Sequence, residues 1–455
     1  MDLKGLRVLV IGLARSGVAA VRLLHDKGAH VVLNDSKPEE ELSVSLASVR
    51  DCCDVIHLGA PPDRLVEGCD LIVLSPGVPD SLPFVGRARQ TGIPVIGELE
   101  LGWRFTRCPV AAITGTNGKT TTTALLGHLF AKSGFTAHVV GNIGHPITAV
   151  ADRTQPRDRM SLEVSSFQLE TIDTFRPAVS AILNITEDHL NRHRTMDDYI
   201  AMKCRIFENQ RDGDLLVLNA DNEITAGLGS RARCPVMYFS RFLEVPAGCC
   251  IREDRITYIP LEGEPVTLGR TAEVRIAGGH NLENALAAST MALALGADPA
   301  AVRYGLATFE GVEHRLEFVG DVGGVRFIND SKATNPDSAM RAIEAMMLPT
   351  ILIAGGSDKG SDFAPLIRAF GSRIRGMVVL GETADRLLRS AHEEGFTEAV
   401  RADDMADAVR KARDMARPGY NVLLSPACAS FDMFEDFEHR GRVFKQIVRE
   451  LGEKA

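Results

Sequence analysis

At 455 residues the chain is too long for one hydrophobic core and has room for roughly three domains of about 150 residues each. Its formal charge of −9 excludes the basic stripe that nucleic acid demands, and 45% hydrophobic with 24% charged residues is an ordinary globular composition. Nine scattered cysteines without CxxC or CxxH spacing, no signal-peptide pattern in MDLKGLRVLVIG, and no apolar run near the roughly 20 residues of a membrane span together predict a reduced, cytoplasmic chain with no membrane partner.

In chain order, LRVLVIG predicts a buried strand, LARSGVAAVRLLHDKGA a helix and HVVLNDS a second strand. Gly12, Ala14 and Gly17 form a GxAxxG variant of the dinucleotide fingerprint, and Asp35 ends the second strand where a ribose-binding acid would stand. Two readings stay open here, an NAD site or a turn that only packs helix on strand. DLIVLSPGVP reads as a further strand ending in a turn at Ser75, Pro76 and Gly77. The stretch from Gly92 to Pro109 is irregular, which places a boundary near Gly97.

A second series, PVAAITG, TAHVVGNIG, MSLEVSSFQLE, AVSAILNIT and DLLVLNAD, alternates strands with helices and predicts a mainly parallel, doubly wound sheet. Residues 234–277 read as short alternating strands, an antiparallel insert on the same domain, closed by helical HNLENALAASTMALALG. A third series starts near Glu313 with VRFIND, TILIAGG, GMVVLGE and NVLLSPA. The expected fold is α/β, with three doubly wound Rossmann-like domains at 1–97, 98–312 and 313–455.

AAITGTNGKTTTTALL places a glycine turn, Lys119 and Thr120 between a strand and a helix, a P-loop-type arrangement on the central domain. Backbone N–H groups and a helix N-terminus stabilise polyphosphate, a lysine neutralises its terminal charge, and a hydroxyl reaches its Mg2+. The turn departs from GxxxxGK[ST], since Ile113 stands where the first glycine belongs. The bland alternative is a glycine-rich turn with a surface lysine. A Mg-nucleotide would need ligands on neighbouring strand ends, and Glu163 and His189 lie just beyond predicted strands of this domain. His189 and His193 are no protease-type zinc pair, because Leu190 replaces the required glutamate.

GTNGKTTT, EVSSFQLE, NITEDHLNRH, GGHNLENALAA, EHRLEF and NDSKATNP occur in the order found in the Mur ligase family. The chain resembles these ATP-dependent amide ligases of peptidoglycan precursor synthesis over essentially its whole length. GNIG, SSFQLE and SPACASFDMFEDFEHRG are most similar to the branch that adds D-glutamate to UDP-N-acetylmuramoyl-L-alanine. The resemblance implies that the substrate carboxylate attacks the γ-phosphate of ATP, and that the amine of D-glutamate then displaces phosphate from the acyl phosphate.

Carried onto this sequence, the resemblance assigns the UDP substrate to Gly12, Ser16, Asp35, Ser75, Pro76, Gly77, Asn142 and Ser165 rather than nicotinamide to the first domain. It assigns ATP to Gly115, Thr116, Asn117, Gly118, Lys119, Thr120, Thr121, Asn281, Arg315 and Asp330. Lys119, Glu163, His189 and Lys203 are the implied catalytic residues, with two Mg2+ ions drawing on Thr120, Glu163, His189 and Lys203. Lys203 aligns with a lysine carried as a carbamate, although its residue type alone reads as a solvated helix lysine. Asn281 and Asn284 alone read as N-caps. D-glutamate is assigned to Lys332, Thr334, Lys359, Ser430, Phe431 and Phe437. By residue type Lys359 is a surface lysine, and the spacing of Phe437 with Phe434 and Phe444 is that of a core face. A monomer is expected, with ATP between domains that close to exclude water.

Overall fold

The computed structural model describes residues 1–455 except 188–189, 277, 358–359 and 454–455, and the side chains of 190–191. Three sheets organise the described residues.

In the first sheet, β1 (Arg7–Ile11), β2 (His30–Asp35), β3 (Val55–Leu58), β4 (Leu71–Leu74) and β5 (Val95–Gly97) run parallel in the order β3-β2-β1-β4-β5. Val8 and Val10 pack into one hydrophobic cluster and Leu9 and Ile11 into another, so both faces of β1 are covered. That is why RVLVI is an unbroken apolar run. Strand order reverses between β1 and β4, the crevice where such sheets bind ligands.

The central sheet contains β6 (Val110–Thr114), β7 (Ala137–Gly141), β8 (Arg159–Glu163), β9 (Val179–Ile182), β10 (Leu215–Asn219), β11 (Val236–Ser240), β12 (Gly248–Arg252), β13 (Arg255–Ile259) and β14 (Val266–Arg270). Their order is β14-β13-β12-β11-β10-β9-β6-β8-β7. The antiparallel part is smaller than the sequence implies: β11 runs parallel to β10, β12 runs parallel to β11, and only the β12–β13 and β13–β14 pairings are antiparallel. Apolar alternation reports a half-buried face and carries no strand direction, so β11 and β12 could not be told from a hairpin.

A short helix, Glu98–Trp103, leaves β5 and joins the two sheets through two buried carboxylates. Glu100 accepts backbone N–H bonds from Asp173, Thr174 and Phe175 at 2.9–3.0 Å. Glu98 accepts from the Thr148 N–H and hydroxyl through Oε1, while its Oε2 is buried with no partner among the described residues.

The third sheet places β15 (Glu317–Val322), β16 (Val325–Asn329), β17 (Thr350–Gly355), β18 (Ile374–Leu380), β19 (Ala399–Arg401) and β20 (Asn421–Leu424) in the order β15-β16-β20-β17-β18-β19. β15 is antiparallel to β16 and every other pairing is parallel. By contact the chain groups into two compact units. Met1–Arg275 with Glu283–Phe309 holds the first two sheets, and Ile276–Leu282 with Glu310–Ala455 holds the third. No helix among the described residues is long and apolar enough to cross a membrane.

Candidate functional site

β9, β6 and β8 are neighbours in the central sheet, so their carboxyl ends deliver three segments side by side. β6 runs into the glycine turn and then the helix Lys119–Lys132. Gly118 takes φ +83°, and a Cβ there would lie 2.3 Å from Asn284 Oδ1, so conformation and space both require glycine. The turn is tied to the exit of β9. Thr116 N–H donates to Asn184 O, Asn117 N–H to Asn184 Oδ1, and Asn184 Nδ2 returns a bond to Asn117 O, all at 2.9–3.1 Å. Thr116 Oγ1 donates to Thr186 O at 3.1 Å and lies 3.3 Å from the Tyr199 hydroxyl. Thr120 and Thr121 are buried in the first helical turn. Lys119 Nζ curls back to Gly115 O and Thr116 O at 2.8 Å each.

Glu163 closes β8 beside this turn and is 2% exposed. Its Oε1 accepts from Asn142 Nδ2 at 2.9 Å, while Oε2 is buried with no partner among the described residues. A buried carboxylate oxygen lacking a donor is costly unless a cation meets it, so this residue fits a metal ligand. Lys203 is not a solvated lysine: it is 1% exposed, donates to Gly115 O at 2.9 Å, and stands 4.4 Å from the centre of the Tyr199 ring. Lys119 and Lys203 therefore converge on one carbonyl. His189 lies outside the described residues. Ser165 caps the helix Ser166–Leu169 in a reciprocal pairing with Gln168, which gives it a local structural role.

In the first sheet, Ser75 Oγ donates to Gly12 O at 2.9 Å across the β1–β4 crevice. Asp35 accepts from Leu13 N–H at 2.7 Å and from Lys37 N–H at 2.9 Å. Its carboxylate therefore braces the turn, and both oxygens already have donors. A Cβ on Gly17 would sit 1.8 Å from Gly12 O, so the fingerprint spacing is explained by helix-on-turn packing. Ser16 is half-buried on the first turn of the helix Arg15–Asp26, and Pro76 and Gly77 continue the Ser75 turn.

The third-sheet residues are organised by buried charge. Asp330 is 1% exposed, accepting from Ser425 Oγ at 2.9 Å and Leu316 N–H at 3.2 Å. Burial pushes its carboxyl up to about 6, against the pull of the Arg315 guanidinium. Arg315 Nε is itself buried with no partner among the described residues. Lys332 Nζ lies 5.4 Å from the Phe437 ring centre. Thr334 is half-buried, Ser430 buried and Phe431 exposed. Phe437 starts the helix Phe437–Glu453 half-buried, whereas Phe444 is fully in the core. Asn281 and Asn284 sit inside the helix Gly279–Ala294 rather than at a cap position, and Asn284 Oδ1 accepts from Thr122 Oγ1 at 3.1 Å. Lys359 lies outside the described residues.

Three residues escaped sequence reasoning. Asn184 and Tyr199 hold the phosphate turn, and their only signal was a place just past a strand and a turn before Lys203. Arg440 is 2% exposed and donates to Ser331 O, Ser331 Oγ, Cys428 O and Ala429 O at 2.8–3.1 Å. Burial draws its guanidinium down to about 10. Glu313, His314 and Glu317 bring ligand atoms within 4.8 Å, but Lys445 pairs with both carboxylates, so the group reads as an ion-pair network.

Comparison with known proteins converges on one family. The model for the Mur ligase middle domain matches residues 113–292, that for the Mur ligase glutamate ligase domain 314–428, and that for the MurD-like N-terminal domain 6–97. The UDP-N-acetylmuramoylalanine–D-glutamate ligase of Pelotomaculum thermopropionicum is 48% identical over 445 residues, covering 98% of each chain. Its namesake from Caldanaerobacter subterraneus is 44% identical over 99% of this chain and 100% of its own. Among solved structures, UDP-N-acetylmuramate–alanine ligase of Thermotoga maritima superposes with TM-score 0.62 at 19% identity over 98% of this chain and 99% of that one. A MurF ligase of the same organism, in complex with ADP, gives 0.59 at 14% identity over 100% and 97%.

Proposed function

The chain belongs to the Mur ligase family, and from that premise we propose that it joins D-glutamate to UDP-N-acetylmuramoyl-L-alanine with ATP as the driving reagent, in peptidoglycan precursor synthesis. The carrying observation is the phosphate turn with Lys119 and Lys203 converging on Gly115 O beside Glu163, whose Oε2 is buried with no partner among the described residues.

Forming an amide from a carboxylate in water is uphill, so the carboxylate must first become an acyl phosphate. Its approach to a polyphosphate brings two anions together, and fixed positive charge lowers that barrier. The turn's backbone and Lys119 hold the phosphates, with Lys119 Nζ exchanging its carbonyl partners for phosphate oxygens. Mg2+ held by Glu163, Thr120, His189 and a carbamate on Lys203 would supply further positive charge between the two anions. A lysine ammonium cannot ligate Mg2+, whereas a carbamate presents the oxygens such a cation prefers. Gly12, Ser75 and Asp35 shape the crevice assigned to the UDP moiety, and Ser16, Pro76, Gly77, Asn142 and Ser165 are assigned to the same substrate. Asn281, Arg315 and Asp330 are assigned to ATP, with Asp330 acting on the loop through Leu316. Lys332, Thr334, Lys359, Ser430, Phe431 and Phe437 are assigned to D-glutamate, whose two carboxylates call for cations such as Lys332.

The test is phosphate release from ATP with UDP-N-acetylmuramoyl-L-alanine, comparing D-glutamate, L-glutamate and other amino acids. Release that depends on D-glutamate is expected. Turnover with another amino acid and none with D-glutamate would overturn the assignment.

A further inference from the structure

Beside the helix Met196–Cys204, which carries Lys203, lies a cavity of about 270 Å³ lined in part by Cys204, Arg205, Phe207, Glu208, Arg231 and Arg233. None of these side chains belongs to the residues assigned above. Three guanidiniums face one carboxylate, and that carboxylate is already committed: both Glu208 oxygens accept from Arg205 at 2.9 Å. The remaining Arg205 N–H bonds go to Leu169 O, Glu170 O and Ile172 O at 2.7–3.0 Å. Arg205 is thus a spent, rigid wall. Arg231, which ends the short helix Leu228–Arg231 and hydrogen-bonds the Cys204 thiol, and Arg233, two positions on, are both exposed, pair with no carboxylate among the described residues and line the same cavity. Two like charges lining one cavity favour an anion that binds within reach of both. Guanidinium forks match the geometry of phosphoryl and carboxylate oxygens. Phe207, 6% exposed, supplies an apolar wall.

We propose that this cavity is a binding site for the compact dianionic group of a small metabolite, a phosphoryl or a dicarboxylate, gripped by Arg231 and Arg233. Its volume sits just below the usual range for ligand pockets, about 300–1,000 Å³, which sets the occupant's size at a head group rather than a whole nucleotide. The occupant touches Cys204, the residue after Lys203, and so contacts the last turn of the helix that presents Lys203 to Gly115.

Cys204 is a built-in reporter, half-exposed in the cavity wall. Peptide-resolved alkylation by iodoacetamide is measured on the full chain carrying Lys119→Ala, which removes the phosphate-turn cation. Pyrophosphate and malonate are the two probes, with sodium chloride at matched ionic strength as control. At a probe concentration of about twice Kd, alkylation of Cys204 should slow about threefold, and Arg231→Ala/Arg233→Ala should abolish the protection. Protection by pyrophosphate alone identifies a phosphoryl ligand, and by malonate alone a dicarboxylate. Should the double variant not fold, the single Arg233→Gln, whose side chain is exposed, must weaken protection instead. Equal alkylation with probes and chloride, or protection that survives loss of the arginines, overturns the proposal.

Discussion

The turn after β6 and the loop after β16 both leave the carboxyl end of a parallel strand, yet they are held differently. The first is fixed by backbone and amide bonds to Asn184 and by the ammonium groups of Lys119 and Lys203, both donating to Gly115 O, while Asn284 Oδ1 leaves no room for a Cβ at Gly118. The second, around Ser331 and Lys332, is fixed by buried ionisable groups, Arg440 clasping Ser331 and Asp330 anchoring Leu316 and Ser425. Because the Asn184 bonds hold the β6 turn without it, Lys119 is able to exchange its carbonyl partners for a ligand. Buried charge makes the β16 loop depend on the stability of its own unit.

The largest expected effect follows on the first side. Lys119→Ala should cost about 3 kcal/mol or more in the transition state, over a hundredfold in kcat/KM, because a developing phosphoryl charge loses its cation. The melting temperature should hardly change, since this side chain packs little core. Near wild-type turnover would mean that the turn is not the ATP site.

Lys203 sharpens the same comparison, as a buried amine bonded to the β6 turn through Gly115 O. If it acts as a carbamate, Lys203→Arg should fail as badly as Lys203→Ala, with losses of about 3 kcal/mol each, and acetate should partly restore the alanine variant by supplying oxygens for Mg2+. Activity retained by the arginine variant, with no acetate rescue, would make Lys203 a positive charge only.

On the β16 side, Arg440→Lys keeps the charge but not the fork. Ala429 O keeps the Ser357 N–H, so one or two buried carbonyls are left unpaired, which should cost about 2 kcal/mol of stability in the unit that holds the third sheet. Denaturant unfolding checks this, and an unchanged midpoint would remove Arg440 as the organiser of the loop.

The smallest effect is on pH dependence, and it tests a buried carboxyl in the unit that holds the β6 turn. Burial raises Glu98 from 4.5 to about 7, with Thr148 pulling the other way. A folded carboxyl with a raised pKa binds more protons than the unfolded chain between those values. Stability therefore falls as pH rises from about 4.5 to 7, by about 2 kcal/mol once relaxation is allowed for. Glu98→Gln should flatten this slope, read as the difference in melting temperature between pH 5 and pH 8. Parallel slopes in the two proteins would contradict it.

Legibility in the sequence follows the same division. Turn, helix and lysine after β6 occupy one short run, so GTNGKTTT carried its chemistry openly, and the continuous apolar strands announced parallel sheets covered on both faces. Arg440 was unreadable because its four acceptors are carbonyls and a hydroxyl from segments about 10 and 110 residues away. Asp35 was read for its position at a strand end, but a backbone N–H that donates to its carboxylate leaves no trace in residue type. Burial of Lys203 was equally hidden, since the helix around it has polar residues on several sides.

Everything proposed for the β6 turn requires the substrate carboxylate to attack ATP there. The direct measurement uses UDP-N-acetylmuramoyl-L-alanine with both carboxylate oxygens replaced by oxygen-18, turned over with ATP and D-glutamate, and mass analysis of the released phosphate. That attack predicts one heavy oxygen in each phosphate, because the acyl oxygen bonded to phosphorus leaves with it. Unlabelled phosphate would show that the carboxylate never bonded to phosphorus, and the mechanism would fall.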